Sequence, residues 1–201
     1  MHQCFSLSSS SLLLFFFLNL QQNPYLINAV VPNLVDKTCK KCINLTVCYD
    51  FCLTSLQAVP ISNYSNLPGL ALIAMELAIK NCTNTISTIK KLIRSKSFDL
   101  QSLEDCLELY SDASIALEDS IRGFLSEHYE SVIRWLRGTM VAATACEERF
   151  LVAGNTSPLI TENYCLFQLT DIANCITMLL SRGLMSKPVS TLSDGRGVGE
   201  T

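Results

Sequence analysis

Histidine is almost missing from this chain: two in 201 residues, one of them His2 at the extreme N-terminus. Catalysis near neutral pH draws on groups that give and take protons, histidine most often. A Ser-His-Asp or Cys-His site would have to rest on His128 alone. There is also no G-x-S-x-G elbow, no H-E-x-x-H pair and no G-x-x-x-x-G-K-[ST] phosphate loop. Gly195-Arg196-Gly197-Val198-Gly199 has neither the strand before it nor the helix after it that a nucleotide fingerprint requires. Carboxylates do cluster, at Glu104, Asp105 and Glu108, at Glu118 and Asp119, and at Glu147 and Glu148. All flank apolar helical seams, so they read as solvated faces rather than as a glycosidase pair. The expectation is a protein with no catalytic residue and no cofactor.

Charge is sparse as well. Charged residues make up 16% of the chain, with a formal net charge of −3. Lys and Arg look scattered rather than striped, which argues against nucleic acid and against polybasic membrane binding. Long apolar runs are equally few. Residues Ser11 to Leu20 read SLLLFFFLNL, shorter than the roughly 20 residues a spanning helix needs. At this position the run fits the h-region of a secretory signal peptide, with cleavage after Ala29, although no Lys or Arg precedes it. No second run approaches membrane length, so the rest is expected to be soluble. The expected organisation is a signal peptide over 1–29, one helical domain over 30–182 and a disordered Gly/Ser/Thr-rich tail over 183–201.

What the chain does have is cysteine, ten in all. Beyond the signal lie Cys39, Cys42, Cys48, Cys52, Cys82, Cys106, Cys146, Cys165 and Cys175. Such density in an exported domain points to disulfides. Only Cys39-Lys40-Lys41-Cys42 has C-x-x-C spacing and no second pair repeats it, so no metal site is expected. Four glycosylation sequons, at Asn44, Asn63, Asn81 and Asn155, agree with export.

Strand-type alternation is absent, and helical periodicity fills the space. A short hairpin is expected from Leu34 to Gln57. Leu72, Met75, Ile79, Cys82, Ile86, Ile89 and Ile93 then recur in steps of three and four after Pro68-Gly69. Leu103, Cys106, Tyr110, Ala113, Leu117, Ile121 and Phe124 form a second seam, with Asp99 as its N-cap. Tyr129, Val132, Leu136, Thr139, Ala143, Cys146 and Phe150 form a third, broken at Gly154 and Asn155. Leu166, Leu169, Ala173, Ile176 and Leu180 follow Pro158 as a fourth. The expected fold is all-α, a helical hairpin followed by an up-down-up-down four-helix bundle.

In an antiparallel hairpin, residues equidistant from the turn face each other. Cys106 and Cys146 are equidistant from Ser126, so a bridge between them is expected. Cys39 with Cys52 and Cys42 with Cys48 both straddle Leu45–Thr46, so one or both of these could form. Loop entropy puts Cys39–Cys52 at about 3 kcal/mol and Cys106–Cys146 at about 4 kcal/mol. A Cys82–Cys175 bridge between the first and last bundle helices is possible, and Cys165 is left as the expected free thiol.

Asp105-Cys106-Leu107-Glu108-Leu109-Tyr110-Ser111-Asp112-Ala113 and Ala145-Cys146-Glu147-Glu148-Arg149-Phe150 resemble the C-x-x-x-Y-x-D-A and T-C-x-x-x-F elements of the plant invertase and pectin methylesterase inhibitors. Tyr49-Asp50-Phe51-Cys52 and Ser157-Pro158-Leu159-Ile160 extend the resemblance, which covers about Val35 to Arg182. It implies a disulfide in the hairpin, Cys39–Cys52, and one in the bundle, Cys106–Cys146. It further implies a secreted, monomeric protein of the apoplast, cell wall or vacuole that docks over the substrate cleft of pectin methylesterase or acid invertase. In the invertase inhibitors a Pro-Lys-Phe element opens the third bundle helix; here the matching stretch is Glu127-His128-Tyr129, which becomes the expected target contact. A histidine there, with an ordinary pKa of about 6.5, would make binding sensitive to pH between roughly 5 and 7. A secreted small-ligand or storage module on the same fold is the alternative.

Overall fold

The structure is a computed structural model, and it describes residues 34–43 and 47–185. The expected signal peptide, Asn44 and the chain after Met185 lie outside the described residues. All regular structure among the described residues is helical: α1 (Leu34–Cys42), α2 (Tyr49–Gln57), a short 3-10 turn (Pro60–Tyr64), α3 (Leu67–Ser95), α4 (Leu100–Leu125), α5 (Tyr129–Val152) and α6 (Ile160–Met185).

Local chemistry sets the boundaries. Asn66 caps α3, its side chain accepting from Gly69 N at 2.9 Å, and Pro68 occupies the first turn, where its missing N–H costs nothing. Asp99 caps α4 as expected, Oδ2 accepting from Ser102 N at 2.8 Å. That contact and the Ser102 hydroxyl hold the Asp99 carboxyl below its ordinary range. At the end of α5, Gly154 takes a left-handed conformation with φ +72°. Gly154 N donates to Leu151 O and Asn155 N to Phe150 O, the paired bonds of a Schellman motif.

α3, α4, α5 and α6 pack as a ring in which each helix touches the one before and after it, and α6 closes back onto α3. The α1–α2 hairpin leans on α6 and α3. The α4 and α5 seams fall where the periodicity places them: Leu103, Cys106, Tyr110, Ala113, Leu117 and Phe124 face Val132, Leu136, Thr139, Ala143, Cys146 and Phe150 in the core. On α3 the expected seam is buried in part, at Met75, Cys82 and Ile89. Ala71, Ala74 and Ala78 are fully buried, whereas Leu72, Ile79, Ile86 and Ile93 are only half-buried. The alanines let α3 approach its partners closely, and the half-buried residues cover the rim.

α6 is buried almost all round, because it meets α3, α5 and the hairpin at once. This explains its composition. Ile160–Gly183 is long and apolar enough to cross a membrane by length and composition, contrary to the expectation that no second run approaches that length. Yet 72% of its most apolar window is buried inside the bundle, so the apolarity serves the core.

Three bridges join the described residues. Cys39–Cys52 ties the hairpin and Cys106–Cys146 ties α4 to α5. The third, Cys42–Cys175, ties α1 to α6, and it replaces both Cys42–Cys48 and Cys82–Cys175. The reason is the docking of the hairpin. Cys42 lies one turn beyond Cys39 and faces α6, while Cys48 is exposed and unbridged. The Cys48 N–H instead donates to Gln168 Oε1 of α6 at 2.8 Å. Cys82 points toward α4, where its thiol donates to Tyr110 O at 3.2 Å. Cys165 is disulfide-bonded rather than free.

The Cys42–Cys175 bridge spans 133 residues, and loop entropy alone assigns it about 4–5 kcal/mol, less the shortcut provided by Cys106–Cys146. The Cys42→Ser/Cys175→Ser double variant should lose about 2–4 kcal/mol in denaturant unfolding while staying helical. The two unbridged thiols should separate in native alkylation. Exposed Cys48 reacts, whereas burial pushes the Cys82 thiol up to about 12 and it reacts only after unfolding.

Candidate functional site

The Glu127-His128-Tyr129 stretch forms the turn between α4 and α5. It is another Schellman motif: Glu127 N donates to Phe124 O at 3.0 Å and His128 N to Gly123 O at 2.9 Å. The left-handed position that Gly154 fills at the far end of α5 is here filled by Glu127, with φ +59°. An L-residue with a side chain pays a steric penalty there, of roughly 1–2 kcal/mol. His128 is the N-cap of α5 but its side chain makes no capping bond, so the ring is left exposed beside the exposed Glu127. Tyr129 is half-buried, its ring edge-on to Phe124 with centroids 5.3 Å apart. Burial, and then the Glu127 charge, push the Tyr129 phenol up. The three residues are thus brought together on one bundle end. Glu127 and His128 project into solvent from a turn that Tyr129 fixes to the core.

Beneath this turn the two helices nearly touch. A Cβ on Gly123 would lie 2.7 Å from the Trp135 ring and 3.1 Å from Val132. The sequence reading did not single out Gly123 or Trp135; a glycine on the inner face of a helix, one turn before its end, is the signal that marks such an approach.

A second feature, also unread from sequence, crosses the bundle interior. The Tyr110 hydroxyl donates to Asn163 Oδ1 at 2.8 Å, and Asn163 Nδ2 donates to Glu147 Oε2 at 2.7 Å. Glu147 is therefore half-buried and engaged, not a fully solvated carboxylate as expected. Burial raises the Tyr110 phenol well above its ordinary value, so Tyr110 serves as a fixed donor. The network joins α4, α6 and α5. The other expected carboxylates behave as surface groups: Asp105 faces Arg149 at 3.4 Å, and Asp119 pairs with Arg122. No group of three potential metal ligands occurs among the described residues.

The sequons differ in setting. Asn63 and Asn155 are exposed at turns. Asn81 lies in mid-α3, half-buried, with a buried Oδ1 that has no hydrogen-bond partner. Two substitutions at the α4–α5 end should act in opposite directions. Glu127→Gly should stabilise by about 1 kcal/mol by relieving the left-handed position, and Gly123→Ala should destabilise by about 1–3 kcal/mol through overlap with Trp135. Denaturant titration read by the fluorescence of Trp135, the lone tryptophan, measures both.

The geometry can be set beside known proteins. A family model described as plant invertase/pectin methylesterase inhibitor matches residues 33–176. A Platanus acerifolia protein named "Putative invertase inhibitor" is 36% identical over 178 residues, covering 86% of this chain and 97% of that one. Its Platanus orientalis namesake is 34% identical over 156 residues, covering 75% and 92%. Pectinesterase inhibitor 12 of Arabidopsis thaliana is 27% identical over 118 residues, covering 58% and 68%. Among solved structures, a mutant form of a pectin methylesterase inhibitor from Arabidopsis superposes with a TM-score of 0.61 at 19% identity, covering 72% of this chain and 95% of that one. That likeness supports the fold. With the family match spanning most of the chain, this protein belongs to the plant invertase/pectin methylesterase inhibitor family.

Proposed function

We propose that the protein is a secreted inhibitor of a plant cell-wall carbohydrate enzyme, either acid invertase or pectin methylesterase, and that it acts by docking over the substrate cleft. The observation that carries this reading is the 36% identity over nearly the full length of a relative named as an invertase inhibitor. For that reason acid invertase is the first target to test. The rigid α4–α5 turn supplies the contact, with Glu127 and His128 presented from a backbone locked by two hydrogen bonds and by Tyr129. A rigid, preformed turn loses little conformational freedom on binding, and a stable complex would bury on the order of 1,600 Å² in total. Three disulfides among the described residues fit an oxidising, extracellular setting. The small-ligand alternative is disfavoured by the core, whose facing seams are filled by large side chains such as Tyr110, Phe150, Leu117 and Leu136.

The test is a pair of inhibition titrations with the oxidised protein, against acid invertase and against pectin methylesterase, at about pH 5 and pH 7. Dose-dependent loss of one activity is expected. His128→Ala should weaken inhibition by about threefold to tenfold, as for an exposed polar contact at the rim of an interface. Inhibition of neither enzyme by a sample shown to be helical and disulfide-bonded would overturn the proposal.

A further inference from the structure

The α4–α5 turn lies at one end of the bundle. At the other end the α3–α4 and α5–α6 turns meet around a hollow of about 410 Å³, within the roughly 300–1,000 Å³ usual for small-ligand sites. Buried Phe150 lies beneath it, and Phe98 stands at its edge 42% exposed. Asn155 and Thr156 contribute an amide and a hydroxyl. Lys96, held in a left-handed conformation with φ 53°, contributes a cation.

Lys96 also ends a cluster that the scattered look of the sequence hides. Lys90, Lys91 and Arg94 occupy the preceding turns of α3; all four cations are exposed, and none is ion-paired among the described residues. They are four of the 15 basic residues in a chain of net charge −3, gathered on the last turns of one helix. Complementing the helix dipole accounts for cations in the last turn only, which leaves Lys90 and Lys91 unexplained. Asp99 is the carboxylate on the lining, and it is committed to the α4 N-terminus through Ser102.

We propose that this end of the bundle binds an acidic polysaccharide whose sugar rings carry carboxylates, a polyuronate. An aromatic ring packs against the apolar face of a pyranose, amide and hydroxyl groups bond its hydroxyls, and a lysine pairs with the ring carboxylate. Lys96 takes that carboxylate beside Phe98, and Arg94, Lys91 and Lys90 follow the next units over about 9 Å of helix. Nucleic acid fits less well, because it needs a broad positive field rather than a local one on an acidic protein. The inference is independent of the inhibitor reading. It leaves the α4–α5 end free.

The experiment measures binding of the full, oxidised chain to polygalacturonate at about 50 and 200 mM salt, with neutral galactan and polyglutamate as controls. Binding to polygalacturonate, weakened at the higher salt, is expected, with galactan and polyglutamate at least about tenfold weaker. Arg94→Gln/Lys96→Gln should weaken binding about tenfold and flatten the salt dependence, and Phe98→Ala should weaken it about fivefold without flattening it. Circular dichroism checks each variant, and Phe98→Leu, which keeps apolar bulk without a ring, stands in if Phe98→Ala misfolds. No binding to polygalacturonate, equal binding to polyglutamate, or indifference to loss of the Phe98 ring would overturn the proposal. So would binding that appears only after enzymatic removal of N-glycans, since the occupant of the hollow would then be a glycan on Asn155.

Discussion

Everything in this fold is arranged around the burial of α6. A helix packed on one side can solvate the other, but α6 has α3 and α5 against it and the hairpin across it. Its backbone hydrogen bonds are satisfied internally, and most of its side chains are apolar or find partners inside, although Thr170 Oγ1 and Asn174 Oδ1 are buried without one. The leucines and isoleucines supply the first solution. Asn163, which accepts from Tyr110 and donates to Glu147, supplies the second. A buried amide with both of its ends engaged permits one rotational setting of α6 against α4 and α5, because any other would leave polar groups unpaired at about 1–3 kcal/mol each. Apolar packing alone tolerates sliding. The amide network does not, and Cys42–Cys175 adds a covalent stop on the outer side.

The sequence was most legible where contacts are local in the chain. Four helical seams, the Asp99 cap, the break at Gly154 and the hairpin from Leu34 to Gln57 follow from periodicity and capping, which depend on neighbours within a few residues. Cys106–Cys146 is legible for a related reason, since an antiparallel pair of helices makes equidistance from the turn a spatial measure. Legibility ends where elements that are distant in sequence dock. Nothing near Cys42 says that α1 lies on α6, so its pairing with Cys175 was out of reach. The α3 face was legible only in part: Met75, Cys82 and Ile89 lie in the core as expected, but three buried alanines beside them were passed over, because close approach of backbones rewards small side chains.

The candidate contact at the α4–α5 turn was found through resemblance, and the structure adds a physical reason for it to be usable. A turn with a non-glycine residue in the left-handed region is held there by its surroundings rather than by its own preference. Gly123 lets α4 and α5 close tightly below the turn, and Tyr129 wedges against Phe124 within it. Glu127 and His128 are consequently displayed on a stiff support. The opposite end of the bundle is hollowed beside Phe98 and carries a cluster of cations at the end of α3.

The cross-links have a topological consequence. Cys42–Cys175 encloses almost the entire bundle, and Cys106–Cys146 lies nested within it. If a protease cuts the chain once, at any peptide bond between Cys42 and Cys175, the two pieces remain covalently joined. The exposed turns at Ser97, Glu127 and Asn155, the places where an extracellular protease would find purchase, all fall inside that interval. A single nick there severs the thread without releasing either part, and the helices on each side keep their partners. Such a nicked molecule still presents the same surface.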